Sequence, residues 1–357
     1  MSDPFRPSGK ADPLAGKVPV TLITGFLGAG KTTMIGQLVR HPGMDRAAVI
    51  INEVGEIGID NDLVMMSTEN VSLLANGCLC CSVRTDLQET LRELFGDRRA
   101  GKIPDFDRVI IETTGLADPG PVIQTLISDT MVSAHYRLDG VVTLVDAVNI
   151  GDQLERQPEA ERQIVMADRI FITKTDLLPE ATLIESVRST LASINPQADL
   201  EICHNGMVDP QQLTGLGLRS SRVDESTLRF LGALGPPESE TGGLYLAQRL
   251  RERHRSNIRS FPIRLESPLS WDAFSAAMEM LINLRGKDLL RVKGIVNVQG
   301  KPVVVQGVGH IFHPPVHLDG WPSGDTHSRL VFIARDMDPS RIKALFEAAA
   351  DLGGPEH

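Results

Sequence analysis

The chain has 357 residues, 41% of them hydrophobic and 23% charged, which is enough length for two domains and enough apolar material for buried cores. A formal net charge of −10 argues against a nucleic-acid binder and against docking on anionic lipid. No apolar run nears the roughly eighteen residues of a membrane span, and adjacent Cys80 and Cys81 cannot pair without severe distortion, so the four cysteines are not a disulfide framework. The expectation is a cytoplasmic protein with reduced thiols.

Residues 1–16, with Pro, Gly and charges but no apolar h-region, read as a disordered tail rather than a secretory signal. The run "VPVTLIT" (18–24) reads as a buried strand, and a helical pattern follows Lys31 through about Arg40, with Ile35, Leu38 and Val39 at core spacing. "AAVIIN", "DRVIIETTG", "GVVTLVDA" and "DRIFITKTD" are further apolar runs, each ending in a polar loop. Helical stretches such as "DLQETLRELF" and "ATLIESVRSTLASI" alternate with them. Continuous apolar strands separated by helices predict an α/β domain over 17–214, built on a mainly parallel sheet covered on both faces. Its ligands are expected at the carboxyl ends of the strands. Residues 215–256 are rich in Gly, Ser and Pro and read as a linker. Residues 257–357 predict a smaller α+β domain: a helix "SWDAFSAAMEMLINL" with Ser270 as N-cap, several strands and a final helix.

The stretch "GFLGAGKT" carries Gly25, Gly30, Lys31 and Thr32 in the G-x-x-x-x-G-K-[ST] pattern between a strand and a helix. Its backbone amides, from Gly25 through Gly28, Ala29 and Gly30 to Thr33, can converge on phosphate oxygens, and the helix N-terminus adds positive potential. Lys31 then bridges the β- and γ-phosphates and Thr32 ligates Mg²⁺. In "VIIETTG", Glu112 ends a strand and can hold Mg²⁺ through water, while the Gly115 amide can sense the γ-phosphate. In "TKTD", Asp176 can accept the two guanine protons that adenine lacks, with Lys174 over the ring, which favours GTP. Asn is the usual first residue of that signal, and Thr173 stands there.

Three of the four cysteines lie within "NGCLCCSVR": Cys78, Cys80 and Cys81. Thiolates in such number bind a soft or borderline ion, and three leave tetrahedral Zn²⁺ one open position. Water or a carboxylate from "NEVGEIGID" (Glu53, Glu56, Asp60) can fill it, Glu53 being the first choice. Using all three thiols requires the backbone to turn, as Gly77 permits. Structural or redox cysteines are the alternative.

"GFLGAGKTT", "NEVGEIGID", "NGCLCCSVR", "IIETTGLADPGPVIQT" and "TKTD" occur in the order found in CobW-type GTPases, and "LLRVKGIVNV" and "HSRLVFIARD" resemble the CobW C-terminal domain. The resemblance implies a slow GTPase linked to zinc or cobalt homeostasis, cycling between GTP and GDP with Mg²⁺ and delivering Zn²⁺ (or Co²⁺) to a client apo-metalloprotein. It carries the phosphate loop onto Gly25–Thr33, the metal motif onto Cys78, Cys80 and Cys81, the Mg²⁺-linked acid onto Glu112, and the base signal onto Thr173–Asp176. Besides Thr173, the chain departs from relatives that have Glu at the position of Ile51, and it lacks their histidine-rich run. Alternatives from other classes are a nucleotide-regulated metal sensor and a P-loop ATPase or kinase with structural cysteines. His310, His313 and His317 can form a secondary metal site only where the Pro314–Pro315 turn gathers them, their spacing fitting neither a helix nor one strand face.

Overall fold

In a computed structural model the chain is described over residues 14, 16–51, 87–217 and 258–352, and as backbone strands over 64–67, 71–74 and 79–82. The expected tail before residue 14 and linker residues 218–256 lie outside the described residues.

The first unit runs β1 (Val18–Gly25), α1 (Lys31–Leu38), β2 (Ala47–Ile51), β3 (Val64–Ser67), β4 (Val71–Leu74), β5 (Leu79–Ser82), α2 (Leu87–Arg99) and β6 (Arg108–Glu112). It continues with α3 (Gly120–Ser128), α4 (Thr130–His135), β7 (Tyr136–Asp146), α5 (Ile150–Arg156), α6 (Pro158–Met166), β8 (Arg169–Thr173), α7 (Ala181–Ile194) and β9 (Asp199–Cys203). These strands form one sheet in the order β3-β4-β5-β2-β6-β1-β7-β8-β9. From β5 to β9 every neighbouring pair is parallel, and β3 and β4 add an antiparallel edge. Parallel strands need crossovers, and the helices that supply them cover both faces, which is why β1 and β2 are buried along nearly their whole length. Val20 and Leu22 pack with Leu91, Ile111 and Ile123 on one side, while Ile23 packs with Met34, Ile35 and Leu38 of α1 on the other.

Strand β1 is central, and the chain goes to β6 on one side of it and β7 on the other. A crevice opens where the winding reverses, so ligands gather there.

Gly215 and Leu216, which the sequence assigns to the linker, are held on this unit. The Gly215 amide donates to Asp139 Oδ2 at 2.6 Å, and Leu216 is buried in the core on the α1 side.

The second unit is an antiparallel sheet of β10 (Ile258–Leu265), β15 (Ser328–Arg335), β11 (Leu289–Val298), β12 (Lys301–Val308) and β13 (Ile311–Phe312), with β14 (Val316–His317) also on β12. Two helices, α8 (Trp271–Arg285) and α9 (Pro339–Leu352), back one face through Phe274, Met278, Leu281 and Phe346 against Phe261 and Phe332. Ser270 caps α8, its hydroxyl accepting from the Ala273 amide at 3.1 Å. The other face of β11 carries Arg291 and Lys293, both buried against the first unit.

Candidate nucleotide-binding and metal site

The strand carboxyl ends lie level: Ile23 pairs with Glu112, Gly25 with Leu144, and Asp146 with Thr173. Each predicted nucleotide residue therefore leaves the sheet at the same edge. The loop after β1 turns into α1 through Gly30, whose φ of 98° is open to glycine at little cost. Thr32 and Thr33 are exposed at the N-terminus of α1, and Ala29 is buried beneath them. Lys31 is only 5% exposed; its Nζ donates to the carbonyls of Gly25 (2.9 Å) and Phe26 (3.4 Å), arching over the loop mouth.

Glu112 is fully buried at the end of β6 and accepts from the Thr32 hydroxyl at 3.5 Å. A hydroxyl and a carboxylate at that separation are the hard oxygen donors that suit Mg²⁺. Beside them the Thr113 hydroxyl donates to Thr24 Oγ1 at 2.8 Å, locking the ends of β6 and β1 together. Gly115 follows in a segment pressed on the phosphate loop: a Cβ there would lie 2.7 Å from the Leu27 amide nitrogen.

Across the crevice, the Thr173 hydroxyl donates to Ala29 O (2.9 Å) and Val145 O (3.2 Å). Thr173, at the position where Asn is usual, thus ties the end of β8 to the loop after β1. Lys174 takes a left-handed conformation (φ 57°) and its Nζ meets Asp146 Oδ2 at 2.7 Å. Asp176 follows, exposed, in a tight turn over Thr175–Leu177. Asp146 was not singled out by sequence, although an acid at a strand end was the available signal. Burial pushes its carboxyl up, but Lys174, the Asn149 side chain and the Val148 amide outweigh burial and hold it below the usual carboxylate range. Gly206, in the loop after β9, rests on the backbone of Thr33 and Met34, and exposed His204 follows Cys203, the strand partner of Thr173.

The metal motif is only partly described: Cys78, Glu53, Glu56 and Asp60 lie outside the described residues. Cys80 and Cys81 fall on β5, where the backbone is strand, so no turn lies within Leu79–Ser82. Cys80 pairs with Val49 and Cys81 with Ile50 of β2; Ser82 pairs with Ile51, which pairs with Glu112 on its other side. At about 4.8 Å per strand, the cysteine strand runs roughly 10 Å from the Glu112 strand and ends at the same level. Cys203 is buried in the core on the α1 side, its thiol pushed up by burial.

The histidines of the second unit are dispersed. His310 is exposed in a turn, and His317 lies beside Trp271 with the rings tilted and their centroids 6.4 Å apart. His313 is driven down to about 4 by burial, and His327 engages Asp325 and Glu266. Among the described residues no group of three or more His, Cys, Asp or Glu is arranged to hold a metal ion.

A glycine-rich loop between a central parallel strand and a helix, with a strand-end acid beside the loop's threonine and a lysine–aspartate loop opposite, defines a P-loop nucleotide-binding protein. Residues 19–201 match the CobW/HypB/UreG nucleotide-binding domain, and residues 258–350 match the cobalamin synthesis protein CobW C-terminal domain. The chain belongs to this CobW family of P-loop GTPases. It is 34% identical to the zinc chaperone YjiA of Escherichia coli over 92% of this chain and 98% of that one. To the zinc-regulated GTPase metalloprotein activator 1 of Schizosaccharomyces pombe it is 36% identical, over 90% of this chain and 83% of that one. The Zn(II)-bound crystal structure of the E. coli YjiA GTPase superposes with a TM-score of 0.72 at 32% identity, covering 93% and 99% of the two chains. A variant of that relative with one glutamate and two consecutive cysteines replaced by alanine is also Zn(II)-bound, with the same TM-score at 31% identity.

Proposed function

We propose that the chain is a GTP-hydrolysing metallochaperone that carries Zn²⁺ as cargo on Cys78, Cys80 and Cys81 and releases it to a client apo-metalloprotein under nucleotide control. The observation that carries this reading is the register Ser82–Ile51–Glu112, which joins the cysteine strand to the acid of the phosphate site through one intervening strand. The zinc-chaperone names of the relatives support the choice of ion.

In this reading Lys31 reaches the β- and γ-phosphates and Gly115 offers its amide to the γ-phosphate. Thr173, Lys174 and Asp176 hold the guanine. Thr32 and Glu112 hold Mg²⁺, which when bound neutralises charge building on the phosphate oxygens. Water attacks the γ-phosphorus and the bond to the β–γ bridging oxygen breaks, leaving GDP and phosphate. Catalysis is by positioning and by Lys31 charge, so intrinsic turnover is slow. Loss of the γ-phosphate relaxes the segment between β2 and β5, which loosens the thiolates.

The test is a zinc titration of the wild type and of the Cys78→Ser/Cys80→Ser/Cys81→Ser variant, each with a non-hydrolysable GTP analogue or with GDP. Because the relative's cysteine variant still holds zinc, the readout is affinity and stoichiometry rather than presence. Loss of one tight site in the variant, and a nucleotide-dependent affinity in the wild type, are expected. Equal affinities in both nucleotide states would overturn the coupling; a variant that keeps every tight site would overturn the cysteine assignment. The competing reading is a metal sensor without transfer, favoured by zinc that no apo-metalloprotein can draw off in any nucleotide state.

A further inference from the structure

Helix α6 touches both ends of the molecule's business. Near its end, Gln163 is 1% exposed, and its Nε2 donates to the carbonyls of Gly115 (3.1 Å) and Ala117 (3.0 Å). Those carbonyls belong to the segment after β6, whose Gly115 is pressed against Leu27 of the phosphate loop. The Gln163 carbonyl is itself fixed by the Thr143 hydroxyl of β7 at 2.8 Å, and Arg162 reaches Asp118 at 3.4 Å. Gln163 Oε1 is buried without a hydrogen-bond partner. A buried amide satisfied on one side only has a donor's place open to it in another arrangement of that segment.

The last carbonyls of a helix have no intrahelical donor. In α6 they are met from two directions. Asn195, just past α7, donates to Ile164 O (2.8 Å), Val165 O (3.2 Å) and Ala167 O (2.9 Å). Arg291, on β11 of the C-terminal sheet, donates to Val165 O (3.4 Å), Met166 O and Ala167 O (2.8 Å), and pairs with the Asp168 carboxylate. Arg291 is 2% exposed, and a guanidinium at a helix C-terminus is also favoured by the helix dipole. Asp168 in turn accepts from the Val141 amide at 2.9 Å, so the clamp reaches the middle of the sheet.

We infer that Gln163 is a positioning residue for the Gly115 segment, and that α6 couples the arrangement of that segment to the seat of the C-terminal sheet through Arg291. The inference rests on the reading above, in which the Gly115 amide meets the γ-phosphate. In the described arrangement Lys31 is turned to its own loop carbonyls and the Gly115 and Ala117 carbonyls are held by Gln163. Drawing Gly115 toward a terminal phosphate pulls against those two bonds, and hence against α6 and its clamp. A ligand that works against a contact is bound more tightly when the contact is cut, and the linkage is reciprocal. Cutting the clamp therefore favours the triphosphate over the diphosphate.

The experiment measures the affinities of fluorescent mant-labelled GDP and of a mant-labelled non-hydrolysable GTP analogue on the full chain. The variants are Gln163→Met, Arg291→Met, Arg291→Lys and the Gln163→Met/Arg291→Met double. A general loosening lowers both affinities together and leaves their ratio unchanged, so the ratio is the readout. Each Met variant is expected to shift the ratio toward the GTP analogue by about fivefold. The double is expected to shift it no further, because both cuts lie on one path. Arg291→Lys keeps the charge facing Asp168 but cannot span the carbonyls, so it gives the same shift in a milder form and serves where Arg291→Met fails to fold. Ratios unchanged from wild type would overturn the inference, as would a double variant whose shift is the product of the single ones. A wild type that binds neither nucleotide overturns the nucleotide reading itself. A wild type that binds both, with unmoved ratios in the variants, sinks only the coupling.

Discussion

Asp146 and Thr173 show how a site can be legible in kind but not in detail. The phosphate loop is local in sequence, so Gly25 to Thr33 can be read from spacing alone. The contacts that hold the proposed base loop are not local. Lys174 meets Asp146 from 28 residues away, and Thr173 meets Ala29 from 144 residues away. Only the folded sheet, which ends all these strands at one level, joins them. Replacing Asp146 with Asn removes the carboxylate that steadies Lys174, and is expected to weaken GDP binding about tenfold, the worth of one charge-assisted hydrogen bond. Fluorescence titration at neutral pH checks this. The sign with pH follows from a carboxyl held below its ordinary value: the contribution is complete above about pH 4 and is lost as the pH falls through the depressed folded value. Between pH 5 and 8 this pair is expected to leave binding flat.

Among the elements, the alternation of apolar strands with helices was enough to predict a mainly parallel sheet, since parallel strands cannot be joined without crossovers. The antiparallel edge β3–β4 escaped prediction, because the runs over Val64–Ser67 and Val71–Leu74 are too short to carry a period. The strand state of Leu79–Ser82 escaped for a different reason. Cysteine spacing is read for ligands, not for its place in a ladder, and the partner strand β2 lies some thirty residues back. Helix α8 was plain from Ser270 onward. Ser270→Ala leaves the amide of Ala273 without its acceptor and is expected to cost about 1 kcal/mol. Both tryptophans of the chain, Trp271 and Trp321, lie in the C-terminal unit, so urea unfolding followed by tryptophan fluorescence reports this unit directly.

For the whole molecule, the two units meet through buried charge. "LLRVKGIVNV" reads as a strand, yet nothing in it says that Arg291 and Lys293 face another unit rather than solvent. Asp168 answers both, Lys293 Nζ lying 3.6 Å from its carboxylate. Burial drives the Lys293 ammonium down to about 8, against Asp168, which raises it, Arg291, which lowers it further, and Asp199, which raises it. A buried lysine with a depressed value makes the unfolded chain the better proton binder between pH 8 and its ordinary value of about 10.4. Lys293 therefore contributes a rise of stability with pH over that window, and Lys293→Met is expected to abolish that rise. Subtracting the variant's unfolding free energy from that of the wild type at pH 7, 8, 9 and 10 isolates the contribution; a flat difference refutes it.

Arg291 grips main-chain oxygens at Val165, Met166 and Ala167, and no side chain of those three residues takes part. Those three hydrogen bonds depend on where the helix stops rather than on which side chains residues 165–167 carry. The side chains at those positions are buried, so what can stand there is set by core packing and not by the guanidinium. A single inserted residue in α6 swings its final carbonyls by about 100° and turns them from the guanidinium. The junction acts as a ruler for helix length, so a C-terminal sheet taken from a distant relative should seat only where that length and the Asp168 carboxylate are both kept.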